Sequence, residues 1–79
     1  MLQHEITLNL AEVERKYWVK SVKTKGILRR RLLDLGLIPG TEIKVLQSSP
    51  AGRLKSYMVR GGVIAIRDED AAKITVQLK

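Results

Sequence analysis

The side chains that could carry chemistry are few, and their spacing decides against most of it. His4 is the only histidine in 79 residues, and there is no cysteine. One imidazole without a thiol assembles neither a His/Cys metal centre nor a Cys–His nucleophile pair, and no disulfide can form. His4 lies near a chain end, where side chains are usually solvated. Carboxylates gather once, at Asp68-Glu69-Asp70. Acids directly ahead of Ala71-Ala72-Lys73 are what the positive end of a short helix prefers, which explains them without a bound cation. Three acids alone would in any case hold a metal weakly. The chain carries no Gly-rich phosphate loop with its Lys, no nucleophile elbow and no dinucleotide fingerprint. The expectation is a protein that is not an enzyme, needs no cofactor and binds no metal tightly.

What stands out instead is positive charge. Lys and Arg number 15 against 8 Asp and Glu, a formal +7, so the partner should be acidic. Between Glu14 and Arg31 stand Arg15, Lys16, Lys20, Lys23, Lys25, Arg29, Arg30 and Arg31. Tyr17 and Trp18 lie inside this run, so a small basic barrel that contacts phosphates and stacks bases is one reading. Against it, a basic run is usually a solvated face and a lone Trp a core residue. Arg60-Gly61-Gly62 is better explained as a hairpin turn than as an isolated RGG unit. Charge by itself selects no class of acidic partner.

The elements that must position these residues read as mainly β. Seventy-nine residues make a single domain, and 44% hydrophobic residues suffice for a core. No apolar run approaches the ~20 residues that span a bilayer, and the start of the chain does not resemble a signal peptide. A cytoplasmic, non-spanning protein is expected. Period-two patterns predict strands over residues 2–10, 16–23, 42–47, 54–60, 63–67 and 74–78. In the second of these Trp18 and Val22 share one face and Tyr17 and Val19 the other, so either both faces are covered or a bulge shifts the register. From Gly26 to Leu35 the period changes. Leu28, Leu32 and Leu35 fall at i, i+4 and i+7 and predict one helix whose core stripe they form, with Arg29, Arg30 and Leu33 projecting outward. Gly36 then suits a left-handed helix stop, and Pro39-Gly40 the centre of a type II turn. A brief helix is expected over residues 68–73. Strands this short bury a face only if the sheet curls, which predicts a small closed or nearly closed barrel of five or six strands.

Two blocks of sequence resemble a known family. Leu28-Arg29-Arg30-Arg31-Leu32-Leu33-Asp34-Leu35-Gly36-Leu37-Ile38-Pro39-Gly40-Thr41 is similar to the central motif of the ferrous iron transport protein A (FeoA) family. Val59-Arg60-Gly61, Ile64-Ala65-Ile66-Arg67 and Asp70-Ala71-Ala72-Lys73-Ile74-Thr75-Val76 resemble its C-terminal pattern. The loops at Glu12-Val13-Glu14-Arg15-Lys16 and Gly52-Arg53-Leu54 depart from it. The resemblance implies an SH3-like β-barrel with a helix in one loop. It also implies an accessory role in ferrous iron uptake beside a membrane permease that carries a cytosolic GTP-binding domain. Arg29, Arg30 and Leu33 then become candidate contacts to that domain.

Overall fold

A computed structural model describes residues 4–79 of the chain, so Leu2 and Gln3 of the first expected strand lie outside the described residues. Six strands, β1 (Glu5–Thr7), β2 (Lys16–Val22), β3 (Glu42–Ser48), β4 (Leu54–Val59), β5 (Gly62–Arg67) and β6 (Ile74–Leu78), form one antiparallel sheet. Helix α1 (Gly26–Asp34) connects β2 to β3, and α2 (Asp68–Ala71) connects β5 to β6. The strand order is β1-β6-β2-β3-β4-β5, so β1 and β5 are edges. A single 3-10 turn, Leu8–Leu10, follows β1, and α2 packs on it and on β5. The barrel is therefore nearly closed, with helical turns filling the seam between its two edge strands.

Alternation places the core. Tyr17, Val19, Ile43, Val45, Tyr57, Val59, Ile66, Ile74 and Val76 all point inward from their strands into one cluster. Two bulges bend the sheet enough to enclose it. The register shifts between Val19 and Ser21 in β2 and between Val45 and Gln47 in β3. An extra residue on one strand kinks and twists the ladder locally. In β2 the extra residue also returns Val22 to the inner face, which resolves its broken alternation. Trp18 stays outside at 37% exposure and is not a core residue. In β1 the 3-10 turn ends the alternation after Leu8, so Leu8 is buried while Leu10 points to solvent.

Helix α1 packs with a phase different from the leucine stripe. Leu32 is buried at 4% exposure, Leu28 packs partly on the core, and Leu35 is 44% exposed. Leu33, expected outward, is half-buried. The inward side thus lies between Leu32 and Leu33. Leu35 sits at the C-cap, where the chain turns away from the core. Its place is taken by Leu37, which is fully buried. The turn that brings Leu37 in is a Schellman motif: Gly36 N–H donates to Leu33 O at 3.0 Å and Leu37 N–H to Leu32 O at 3.0 Å. Gly36 has φ +106°, the region that favours glycine. Thr41 N–H then donates to Ile38 O at 2.9 Å with Gly40 at φ +95°, closing the type II turn. That turn is bonded to β2, Gly40 N–H to Val19 O at 2.7 Å and Val19 N–H to Thr41 O at 2.8 Å. The β4–β5 reversal is centred on Arg60 and Gly61, both at positive φ, and Gly62 begins β5.

The packing sets three stability expectations, each checked by melting. Gly36→Val should cost about 1–2 kcal/mol or more from its positive φ. Its new Cβ would also lie 2.5 Å from Arg60 Cδ, a side-chain atom that can move aside. Leu32→Ala should cost about 2–5 kcal/mol and Leu35→Ala far less. The third concerns pH. Burial, aided by the nearby Asp68 charge, raises the Tyr57 phenol above its ordinary range. Its contribution is present below the unfolded value near pH ~10 and is lost as the pH climbs beyond it, because only the unfolded chain ionises there. Tyr57→Phe should flatten that alkaline decline.

Candidate docking face on the helix

Because the inward side of α1 lies between Leu32 and Leu33, the opposite side carries Ile27, Arg30, Arg31 and Asp34, spaced i, i+3, i+4 and i+7. Ile27 is 82% exposed, and both arginines and Asp34 face solvent. Of the three contacts expected from sequence, Arg30 lies on this open face. Arg29 does not: its Nη1 donates to the carbonyl of Val22, the last residue of β2. It clips the helix to the strand end. Leu33 is half spent on packing. Ile27 was legible as a branched apolar residue 100° off the leucine stripe, a signal that the stripe itself obscured.

Beside α1 runs a groove of ≈ 290 Å³ with apolar walls from Leu28, Leu35, Leu54 and Ala65 and with Arg31, Arg67 and Asp70 among its lining. Leu35, displaced from the core, is what gives the helix side of this groove its apolar character. Leu54 and Ala65 come from β4 and β5, and no local pattern in the sequence links them to the helix. The arrangement can seat an apolar side chain of a partner while the arginines take carboxylates, since guanidinium groups bond carboxylates in a fork.

The remaining chemistry is dispersed. Tyr17 is buried and its hydroxyl accepts from Glu12 N–H at 2.9 Å, so it has no free ring to stack on a base. Trp18 carries the Lys79 ammonium 4.9 Å from its ring centroid. Lys79 also bonds Glu42, and that bond holds the Glu42 carboxyl below its ordinary value against a smaller opposing effect of desolvation. Asp68, Glu69 and Asp70 form the first turn of α2, and Asp68 Oδ1 lies 3.9 Å from Lys55 Nζ. Among the described residues no three of the types His, Cys, Asp and Glu are grouped so as to hold a metal ion. None of the described helices is long and apolar enough to cross a membrane.

The fold defines a small SH3-like β domain, and α1 leaves one apolar and basic face open to solvent. Comparison with known proteins supplies the family. The FeoA domain model matches residues 6–78, and the chain belongs to that family. A FeoA protein from Chlorobium tepidum superposes with a TM-score of 0.88 at 33% identity, over 92% of this chain and 70% of that one. The FeoA of Stenotrophomonas maltophilia, described as a unique procaryotic SH3 domain protein, superposes at 0.77 with 22% identity, over 96% of this chain and 89% of that one. The "Fe(2+) transport protein A/Fe(2+) transporter FeoB fusion protein" of Porphyromonas gingivalis is 37% identical over 57 residues, 72% of this chain. The chain spans 7% of the length of that fusion protein.

The two neighbouring arginines should part company on mutation. Arg29→Ala, which frees the Val22 carbonyl, should lower stability by about 1 kcal/mol. Arg30→Ala should leave the melting midpoint unchanged, and a thermal scan of both variants checks the assignment.

Proposed function

We propose that these 79 residues act as one non-catalytic FeoA domain in the cytoplasm, docking on the cytosolic GTP-binding domain of a ferrous iron permease. The family is associated with ferrous iron transport. One observation carries the partner: in the Porphyromonas gingivalis relative, transport protein A and the transporter FeoB are one fused chain. The Stenotrophomonas maltophilia protein, described as a candidate ferrous iron transport activating factor, supports the same role. The surface of this chain that suits it is the open face of α1. Ile27 offers apolar area that water would otherwise cover, Arg30 and Arg31 steer towards acids, and the Leu28–Leu35 side of the groove receives an apolar anchor. Nucleic acid is the weaker reading, because Tyr17 is buried and the face of Trp18 already holds an ammonium.

The test is binding of the whole chain to the soluble GTP-binding domain of its permease. Arg30→Glu/Arg31→Glu should slow association and flatten its salt dependence, because surface charge acts mainly on the on-rate. Ile27→Ser should mainly speed dissociation. Both variants should also fail to restore iron uptake in cells lacking the domain. Wild-type binding and uptake by both, with wild-type melting, would remove α1 from the docking surface.

A further inference from the structure

A second surface lies on the solvent side of the sheet, formed by alternate residues of β2, β3 and β4. The register sets Lys16 directly opposite Lys44, Lys44 opposite Met58, and Met58 opposite Val63, in one row across four strands. Trp18 stands opposite Glu42 in the adjoining row. Along the first row lies a groove of ≈ 500 Å³ whose lining includes Lys16, Glu42, Lys44, Leu46, Met58 and Arg60.

Two features of this face are physically unusual. Like charges directly opposed on neighbouring strands are unfavourable. Two acids lie near the Lys16–Lys44 pair: Glu14, 3.8 Å from Lys44 and mostly solvated, relieves little of the repulsion, and Glu42 interacts with the Lys16 charge. Glu42 is itself bonded to Lys79. The second feature is apolar: Trp18 and Val63 are exposed, and Leu46 and Met58 half-exposed, on the strands that carry those cations or next to them.

We propose that this face of the sheet seats the domain on an anionic phospholipid layer. A layer of phosphates supplies the opposed ammonium groups with counter-charge that Glu14 and the Lys79-bonded Glu42 provide only in part. Lysine stems lie along apolar surface while their charges reach the headgroups. An indole is at home at the same depth, between hydrocarbon and water. Other acidic partners fit less well. Base stacking needs the ring face of Trp18, which Lys79 covers. Recognition of carboxylates on a protein favours arginine forks, which this chain places on α1, whereas the sheet face presents mainly lysine point charges. The inference is independent of the permease reading, since it rests on other residues and its test contains no permease.

Trp18 is the only tryptophan, so its fluorescence reports on this face alone. The full chain is titrated with vesicles of equal phosphatidylglycerol and phosphatidylcholine, and with phosphatidylcholine vesicles, at low salt. Co-sedimentation and a blue-shifted emission should occur with the anionic vesicles only and fade as salt is added. Lys16→Gln/Lys44→Gln should weaken binding roughly 30-fold, the effect of two lysines near a charged membrane. It should keep or raise the melting midpoint, because the opposed charges are gone. Lys25→Gln/Lys73→Gln removes equal charge from positions outside the strands and should change binding less than about threefold. Equal weakening by the two double variants would overturn the proposal in favour of whole-molecule attraction. So would unshifted emission, or tighter binding to single-stranded polynucleotide or polyglutamate than to the vesicles.

Discussion

The structure depends on the backbone bonds that tie the Pro39-Gly40 turn to β2. Val19 gives its N–H to Thr41 and accepts from Gly40, at the point where β2 bulges. Without that pairing Val19 would carry unmet backbone groups on its β3 side beside a buried side chain, a costly arrangement. With it, the end of α1, the start of β3 and the bend of β2 become one unit. The Schellman stop at Gly36 sets the angle at which the chain enters the turn, and Leu37 is its buried anchor. At the other end of the helix Arg29 reaches the Val22 carbonyl. Both ends of α1 are therefore fastened to the same strand, and the helix has little freedom to roll.

That fastening bears on the proposed docking. A helix held at both ends presents Ile27, Arg30 and Arg31 in a fixed orientation, and preorganised contacts lose less entropy on binding. The cost is visible at Leu35, which would complete the core stripe on an unconstrained helix but is turned outward by the helix stop. The exposed leucine becomes groove wall. Stability is given up where the docking reading finds apolar surface useful.

Charge is distributed with the same economy. The +7 excess does not form a single patch. Part of it lies on α1 as arginines, and part on the outer sheet face as lysines opposed across β2 and β3. The first surface takes groove walls from β4 and β5 as well as from α1, and the second lies along the outer side of β2, β3 and β4.

Most of the strands were legible in the sequence, because a strand half-buried in a barrel writes its burial as alternation, and β6 reads the same in both. So were Gly36 and Pro39-Gly40, since their backbone angles admit few other residues. What the sequence left open was every property set by packing across strands. The bulge in β2 decided that Val22 goes in and Trp18 out, and only the neighbouring ladders place a bulge. The phase of α1 followed from how its two ends are tied to β2, which shifted the buried side to Leu32 and Leu33 and turned Leu35 and Ile27 to solvent. The groove walls at Leu54 and Ala65, and the opposed Lys16 and Lys44, are neighbours only through strand register. Periodicity records which side of an element is apolar; which residues of different elements meet is decided by tertiary contacts far apart in the chain.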